Sequence, residues 1–141
     1  RARGAALKLE RGDQFQLEVD IPSAGYLTIL WVDMDNPLSL LFPNGIDRSP
    51  RVGGGRLLLP GKRRFDWPVY PPYGPNLVVL VYTSFPMDLY EASDDKRNSK
   101  GELLQRFPSI SLAATRSAVE ADLIYAGTVE VTICEEYSKC R

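Results

Sequence analysis

Residues 25–44, GYLTILWVDMDNPLSLLFPN, form the longest apolar run of the chain that has a turn inside it. Successive side chains of a strand point to opposite faces. Apolar side chains therefore occupy both faces of one strand: Leu27, Ile29 and Trp31 on one, and Tyr26, Leu30, Val32 and Met34 on the other. Such a strand needs cover on two sides. Turn formers at residues 33–37 precede a second strand at residues 38–42, which predicts a core hairpin.

Further strands are predicted on either side of this hairpin. Residues 14–21 alternate apolar and polar side chains, as in a strand with one solvated face. A shorter strand at residues 6–10 precedes it, and Arg11, Gly12 and Asp13 form the turn between the two. Residues 77–82, LVVLVY, predict a central strand that is the natural partner of the hairpin. Two more apolar segments predict a short strand at residues 57–59 and a closing strand at residues 128–133.

The remaining segments predict loops and one helix. Residues 44–56 are rich in Gly, Pro and charge, which favours a long surface loop. Residues 102–107 are interpreted as a short helical turn, and residues 109–123 as one amphipathic helix with Ser caps and an Ala-rich interior. We predict an all-β fold with this single helix in the C-terminal half. Its core is a two-sheet antiparallel β-sandwich, immunoglobulin-like, of about seven strands.

Residues 1–141 contain no repeat and no second apolar centre, so they are expected to be one domain. The chain begins without Met or a hydrophobic signal segment, so we expect it to be a mature product or, as favoured, a domain excised from a larger multidomain protein. No apolar run approaches the ~20 residues that span a bilayer, so no direct membrane span is expected in this chain.

Composition excludes several classes of function. Seventeen basic and eighteen acidic side chains leave a net charge of -1, which provides no overall field to attract nucleic acid. The absence of histidine removes the commonest general base and the commonest zinc ligand. We therefore expect no enzyme activity, no metal and no cofactor.

Two acidic alternatives remain. Asp33, Asp35 and Asn36 have the spacing with which calcium loops begin, but Asn44 stands where such a loop needs its closing Glu. A hairpin turn is therefore the favoured interpretation. A glycosidase needs only two facing carboxylates, and eighteen acidic residues leave that alternative open without selecting a pair.

Residues 65–75, FDWPVYPPYGP, place three large rings among four prolines. As a hypothesis, Trp67, Tyr70 and Tyr73 form a binding surface for a protein or a glycan, together with Arg63 and Arg64. The favoured interpretation is that these rings close the open end of a sandwich core. The nearby cations are interpreted either as a local basic patch or as a solvated loop: Arg48, Arg51, Arg56, Lys62, Arg63 and Arg64.

The order of short motifs along the chain is itself informative. These motifs are Gly25-Tyr26-Leu27, Leu41-Phe42-Pro43-Asn44, Leu59-Pro60, Pro71-Pro72-Tyr73-Gly74 and Ser84-Phe85-Pro86-Met87. In this order the chain resembles, over roughly residues 10–88, the bacterial family catalogued as domain of unknown function 4384. The resemblance implies an all-β sandwich module. Such modules are met beside caspase-like peptidases, Ser/Thr kinases and tetratricopeptide repeats in larger envelope or signalling proteins, and no catalytic residues come with them.

The expected function is therefore a non-catalytic protein-protein interaction or accessory module of a bacterial envelope, signalling or secretion protein. The alternative is a glycan or peptidoglycan binding module that uses the Trp67, Tyr70 and Tyr73 rings.

The two cysteines, Cys134 and Cys140, lie six residues apart near the C-terminus. We expect them to form a disulfide, which argues for the periplasm or another extracytoplasmic location. The alternative is two free thiols in a cytoplasmic protein. Continued alternation of the closing strand places Cys134 on its polar face.

Overall fold

The computed structural model describes residues 7–32, 39–65, 67, 73–92, 105–106 and 124–136. Within these residues the chain forms nine strands and one short helix. In chain order they are β1 (Leu7–Glu10), β2 (Leu17–Ile21), β3 (Gly25–Val32), β4 (Ser39–Phe42), β5 (Arg51–Val52), β6 (Gly55–Leu59), β7 (Gly74–Thr83), α1 (Leu89–Ala92), β8 (Gln105–Arg106) and β9 (Ile124–Cys134). The predicted all-β fold is confirmed.

The strands form two sheets of unequal size. The large sheet has seven strands in the order β1-β9-β7-β3-β4-β8, with β5 pairing with the beginning of β3. The small sheet consists of β2 and β6, paired antiparallel. All pairs in the large sheet are antiparallel except that of β1 with β9, which is parallel. The division of strands is less even than in an immunoglobulin sandwich.

The predicted central hairpin is confirmed. Strands β3 and β4 are antiparallel, with Trp31 opposite Ser39 and Leu30 opposite Leu40. Strand β7 pairs with the other side of β3 along its length. The predicted turn at residues 33–37 lies outside the described residues, and so does the calcium alternative that it carried.

Both faces of β3 are covered, as the sequence required. On one face Leu27, Ile29 and Trp31 belong to the main core, which joins the two sheets. The small sheet contributes to this core through Leu17, Ile21 and Leu59. On the other face Leu30 packs in a second cluster with Leu40, Val81, Met87, Leu89 and Tyr90. The two sheets therefore pack as a sandwich on the Leu27 face of β3, and the segment around α1 covers its other face.

Two local predictions are wrong in part. The helical turn at residues 102–107 is wrong at residues 105–106, because these pair with β4 as a strand. The loop at residues 44–56 contains β5 and the beginning of β6, because the former reaches the start of β3. The helix at residues 109–123 lies outside the described residues. Among the described residues, no helix is long and apolar enough to cross a membrane.

Cys134 corrects another prediction. Alternation placed it on the polar face of the closing strand, but it is only 4% exposed. The turn after β1 holds this strand end in place, because the N–H of Arg11 donates to the carbonyl of Cys134 at 2.8 Å. Alternation continues in the backbone, but contacts beyond the strand set the burial of its last residue.

The beginning of β3 approaches β7 very closely. A Cβ atom on Gly25 would lie 2.6 Å from the Tyr82 ring and 2.7 Å from the carbonyl oxygen of Thr83. The Tyr82 hydroxyl donates to the carbonyl of Ser23 at 3.0 Å. Glycine at position 25 therefore lets the tyrosine reach across and hold the bend that precedes β3.

Replacing Gly25 with alanine should destabilise the fold. The added methyl group forces Tyr82 or the β7 backbone to move, and overpacking of this kind costs about 1–3 kcal/mol in the free energy of unfolding. Urea unfolding followed by fluorescence measures the change. Gly53→Ala is the matched control, because a Cβ atom there meets nothing within 4 Å. Equal stability of the two variants would contradict the close approach.

Candidate functional site

Trp67 is a core residue. Its side chain is 1% exposed, and its ring centroid lies 5.4 Å from that of Phe15 and 5.8 Å from that of Phe65. The N–H of Phe15 donates to the carbonyl of Trp67 at 3.2 Å, which fixes the backbone beside the ring. The burial of Trp67 therefore agrees with the core interpretation of this ring. The ring closes the core, because contacts with Phe15 and Phe65 remove it from water.

The indole N–H of Trp67 has no hydrogen-bond partner among the described residues. Leaving a buried donor unpaired costs about 1–3 kcal/mol. A buried tryptophan removes roughly 150–250 Å² from water, which at about 25 cal/mol per Å² is worth about 4–6 kcal/mol. Apolar burial thus outweighs the lost hydrogen bond and explains why the ring stays inside.

The binding roles of Tyr70 and Tyr73, the other two rings of the aromatic strip at residues 65–75, stay predictions. Tyr73 is 39% exposed and lies just before β7, whereas Tyr70 lies outside the described residues. With Trp67 in the core, the described residues do not present the three rings together on one surface.

Three of the six predicted cations, Arg48, Arg56 and Arg63, contact local partners through their side chains. Arg63 Nε lies 2.9 Å from Asp47 Oδ2, which connects the turn after β6 to the loop after β4. Arg48 lies over the Tyr90 ring, 5.8 Å from its centroid. Arg64 is exposed on the same turn as Arg63. Arg63 is thus engaged in a fold contact, and the binding role proposed for Arg63 and Arg64 stays a prediction.

A groove opens between the small sheet and one end of the large sheet. Its volume is about 630 Å³. Residues 16–22, in and around β2, form one side, and residues 126–129 of β9 form the other. Leu27, Leu80 and Tyr82 contribute from the inner face of the large sheet. The groove is therefore an unclosed part of the main core.

Gly127 explains why the core is unclosed there. It stands opposite Leu80 in the pairing of β7 with β9, so it shares the inner face with Leu80 and Val129. A Cβ atom at Gly127 would meet no atom of the described residues within 4 Å. The missing side chain leaves space over the floor of the groove.

The walls of the groove are apolar and incompletely covered. Leu7, Val19 and Leu80 pack against the main core but are only partly buried. Every residue from position 16 to position 22 lines the groove, including side chains that point in and side chains that point out. This pattern means that the β2 backbone itself borders the groove.

Two carboxylates stand at the rim. Among the described lining residues, the charged ones are Glu18 and Asp20. Arg56, on the neighbouring strand β6, places its Nε 2.8 Å from Glu18 Oε1 and 3.8 Å from Asp20 Oδ1. Asp20 keeps a side-chain exposure of 76%. The rim is therefore acidic, and Arg56 lies near both carboxylates, closer to that of Glu18 than to that of Asp20.

A family model described as a domain of unknown function, DUF4384, matches residues 8–86, more than half of the 141-residue chain. The chain belongs to this family. The resemblance read from the order of its motifs is confirmed. No curated protein and no solved structure matches the chain.

The DUF4384 match contains one side of the groove and not the other. Residues 16–22, Leu27, Leu80 and Tyr82 fall within the matched range, whereas Gly127 lies beyond it. Sequence reasoning missed this groove because it began the closing strand at residue 128 and left Gly127 outside that strand. The available signal was a glycine directly before the alternating residues 128–133, since glycine in a strand often marks an open or closely approached backbone.

The stabilities of two alanine variants test the burial of Trp67. Trp67→Ala should lower the free energy of unfolding by about 3–5 kcal/mol, because it empties a core position. Tyr73→Ala removes a ring that is 39% exposed and should cost much less. Denaturant unfolding of both variants measures the difference. If Trp67→Ala leaves the free energy of unfolding unchanged, the burial of this ring is contradicted.

Proposed function

We propose that this DUF4384 domain is a non-catalytic module that binds another protein in the groove beside β2, as part of a larger bacterial envelope, signalling or secretion protein. The observation that carries the proposal is the groove itself. Its volume of about 630 Å³ lies within the usual range of ligand sites, and its lining is mainly apolar. A strand backbone along one side is the geometry at which an extended polypeptide docks.

The character of the lining supports binding rather than chemistry. Hydroxyl groups in the described lining come from Tyr82 and Thr128, and the chain contains no histidine to act as their base. The Tyr82 hydroxyl already donates to the carbonyl of Ser23. Glu18 and Asp20 lie on one strand and share Arg56, which favours a rim contact over an acid pair facing across a cleft.

A protein ligand is preferred to a glycan. Sugar binding depends on exposed rings that offer flat apolar faces. Trp67 is buried, and Tyr73 is the exposed ring among the described residues of the strip. The groove instead offers aliphatic side chains, which suit the side chains of a polypeptide.

Filling the groove tests this function. Leucine at Gly127 points into space where a Cβ atom meets nothing within 4 Å, so Gly127→Leu should occupy the groove and leave the fold intact. We expect a photo-crosslinker at Val19, which lines the groove from the inner face of β2, to capture a protein when it is introduced into the natural protein in its own cells, and we expect Gly127→Leu to abolish the crosslink.

Gly53→Leu is the control for this experiment, because its Cβ atom also meets nothing within 4 Å and it does not line the groove. Thermal unfolding verifies that both variants fold. A crosslink that survives Gly127→Leu would refute binding in the groove, and capture of a peptidoglycan fragment would favour the glycan alternative.

We also propose that Cys134 and Cys140 form a disulfide and that the domain works in the periplasm or elsewhere outside the cytoplasm. Support comes from Cys134, which lies buried at the end of β9, where a bridge would secure the C-terminal segment. Cys140 lies outside the described residues. Disulfides persist mainly outside the reducing cytosol.

Alkylation of unreduced protein from its native compartment, followed by mass spectrometry, tests the bridge. We expect both cysteines to resist alkylation until reductant is added. The closed loop is short, so reduction should remove only about 2–3 kcal/mol and leave the domain folded. Two alkylated cysteines in denatured, unreduced protein would favour the cytoplasmic alternative.

A further inference from the structure

The groove has features that define its ligand more narrowly than the proposed function does. Its long side is formed by the seven successive residues 16–22, which at about 3.3 Å per residue span roughly 20 Å. That length accommodates an extended segment of about six residues. An extended segment presents alternate side chains to opposite sides, so one set faces the floor and the other faces the rim.

The floor selects aliphatic side chains. The space over Gly127 is bordered by Leu80 and Val129, and Leu7 lines the groove farther along β9, opposite Val131. A Cβ atom at Gly127 itself meets no atom of the described residues within 4 Å. An aliphatic side chain placed there would extend the main core, because Leu80 and Val129 are already members or neighbours of it. A polar side chain would lose water there and gain no partner from these three residues.

The rim selects positive charge. The side chain of Asp20 is 76% exposed, and Arg56 Nε lies 3.8 Å from its Oδ1. The same Nε lies 2.8 Å from Glu18 Oε1, so the arginine is held mainly by Glu18. A cation on a ligand would therefore meet the exposed carboxylate of Asp20, from which Arg56 Nε lies 3.8 Å away.

We propose that the ligand is an extended polypeptide segment in which an aliphatic side chain fills the space over Gly127 and an adjacent lysine or arginine contacts Asp20. The inference rests on the proposed function, and it adds the motif that the groove recognises. The neighbouring positions in the ligand follow from strand geometry, because floor and rim lie on opposite sides of an extended chain. A lipid chain is less suited to a groove with a strand backbone along its side and an acidic rim.

Selection of random heptapeptides displayed on phage, with the 141-residue chain as the bait, tests this motif. We expect enriched peptides to contain Val, Ile, Leu or Ala directly beside Lys or Arg. Fluorescence anisotropy then measures the affinity of the chain for synthetic copies of these peptides and for copies in which Glu replaces the cation.

Two variants separate the floor from the rim. Gly127→Leu should weaken binding by about tenfold or more, the equivalent of losing one buried aliphatic side chain. Asp20→Lys should weaken it by about fivefold, as expected for an exposed ion pair. Gly53→Leu and Glu135→Lys are the matched controls, since neither residue lines the groove, and both should bind as the unmodified chain does.

The outcomes distinguish this inference from the function on which it rests. If Gly127→Leu weakens the binding of peptides that lack a cation, and Asp20→Lys leaves their affinity unchanged, the motif is wrong but protein binding in the groove still holds. If Gly127→Leu does not weaken peptide binding, both the motif and the proposed binding in the groove are wrong. If no peptide is enriched while vesicles or fatty acids bind in a Gly127-dependent manner, the polypeptide assignment is wrong.

Discussion

The pairing of β3 with β7 is the interaction on which the rest of the molecule depends. Each of these strands is apolar on both faces, and together they contribute to both hydrophobic clusters. Every other strand of the large sheet reaches them directly or through one neighbour: β4 and β5 pair with β3, β9 pairs with β7, and β1 and β8 follow outside. Gly25 permits this pairing at its tightest point, beside Tyr82. Without the central pair, neither cluster would have two sides.

Unequal sheets have a direct physical consequence. Two strands cannot cover a seven-stranded sheet, so β2 and β6 close the core over β3 and leave the inner face of β7 and β9 incompletely covered. Leu80 remains partly exposed there, and glycine at position 127 leaves the floor low. Apolar surface held open in this way costs free energy in the isolated domain. A ligand that covers it recovers that cost, which is why we assign the site to the groove and not to the buried aromatic residues.

Local patterns in the sequence predicted the strands but not their full arrangement. The β3–β4 hairpin and its pairing with β7 were predictable, because alternation and apolar runs are local signals. The parallel pairing of β1 with β9 joins residues more than a hundred positions apart, and no local pattern encodes it. Trp67 shows the same limit. Its strip of prolines and rings fits a surface or a core, and the distant ring of Phe15 decides between them.

The groove also shows why family membership alone does not define the function. Residues 8–86 supply β2, β3, β6 and β7, which build the core and one side of the groove. The opposite side is β9, which pairs with β7 from Gly74 opposite Ile133 to Thr83 opposite Ile124. This pairing sets Gly127 opposite Leu80 and so creates the space that a ligand would fill. Function resides in a site and not in a fold. The groove that we propose as the site is completed by a strand from outside the matched range, so its ligand has to be inferred from both parts together.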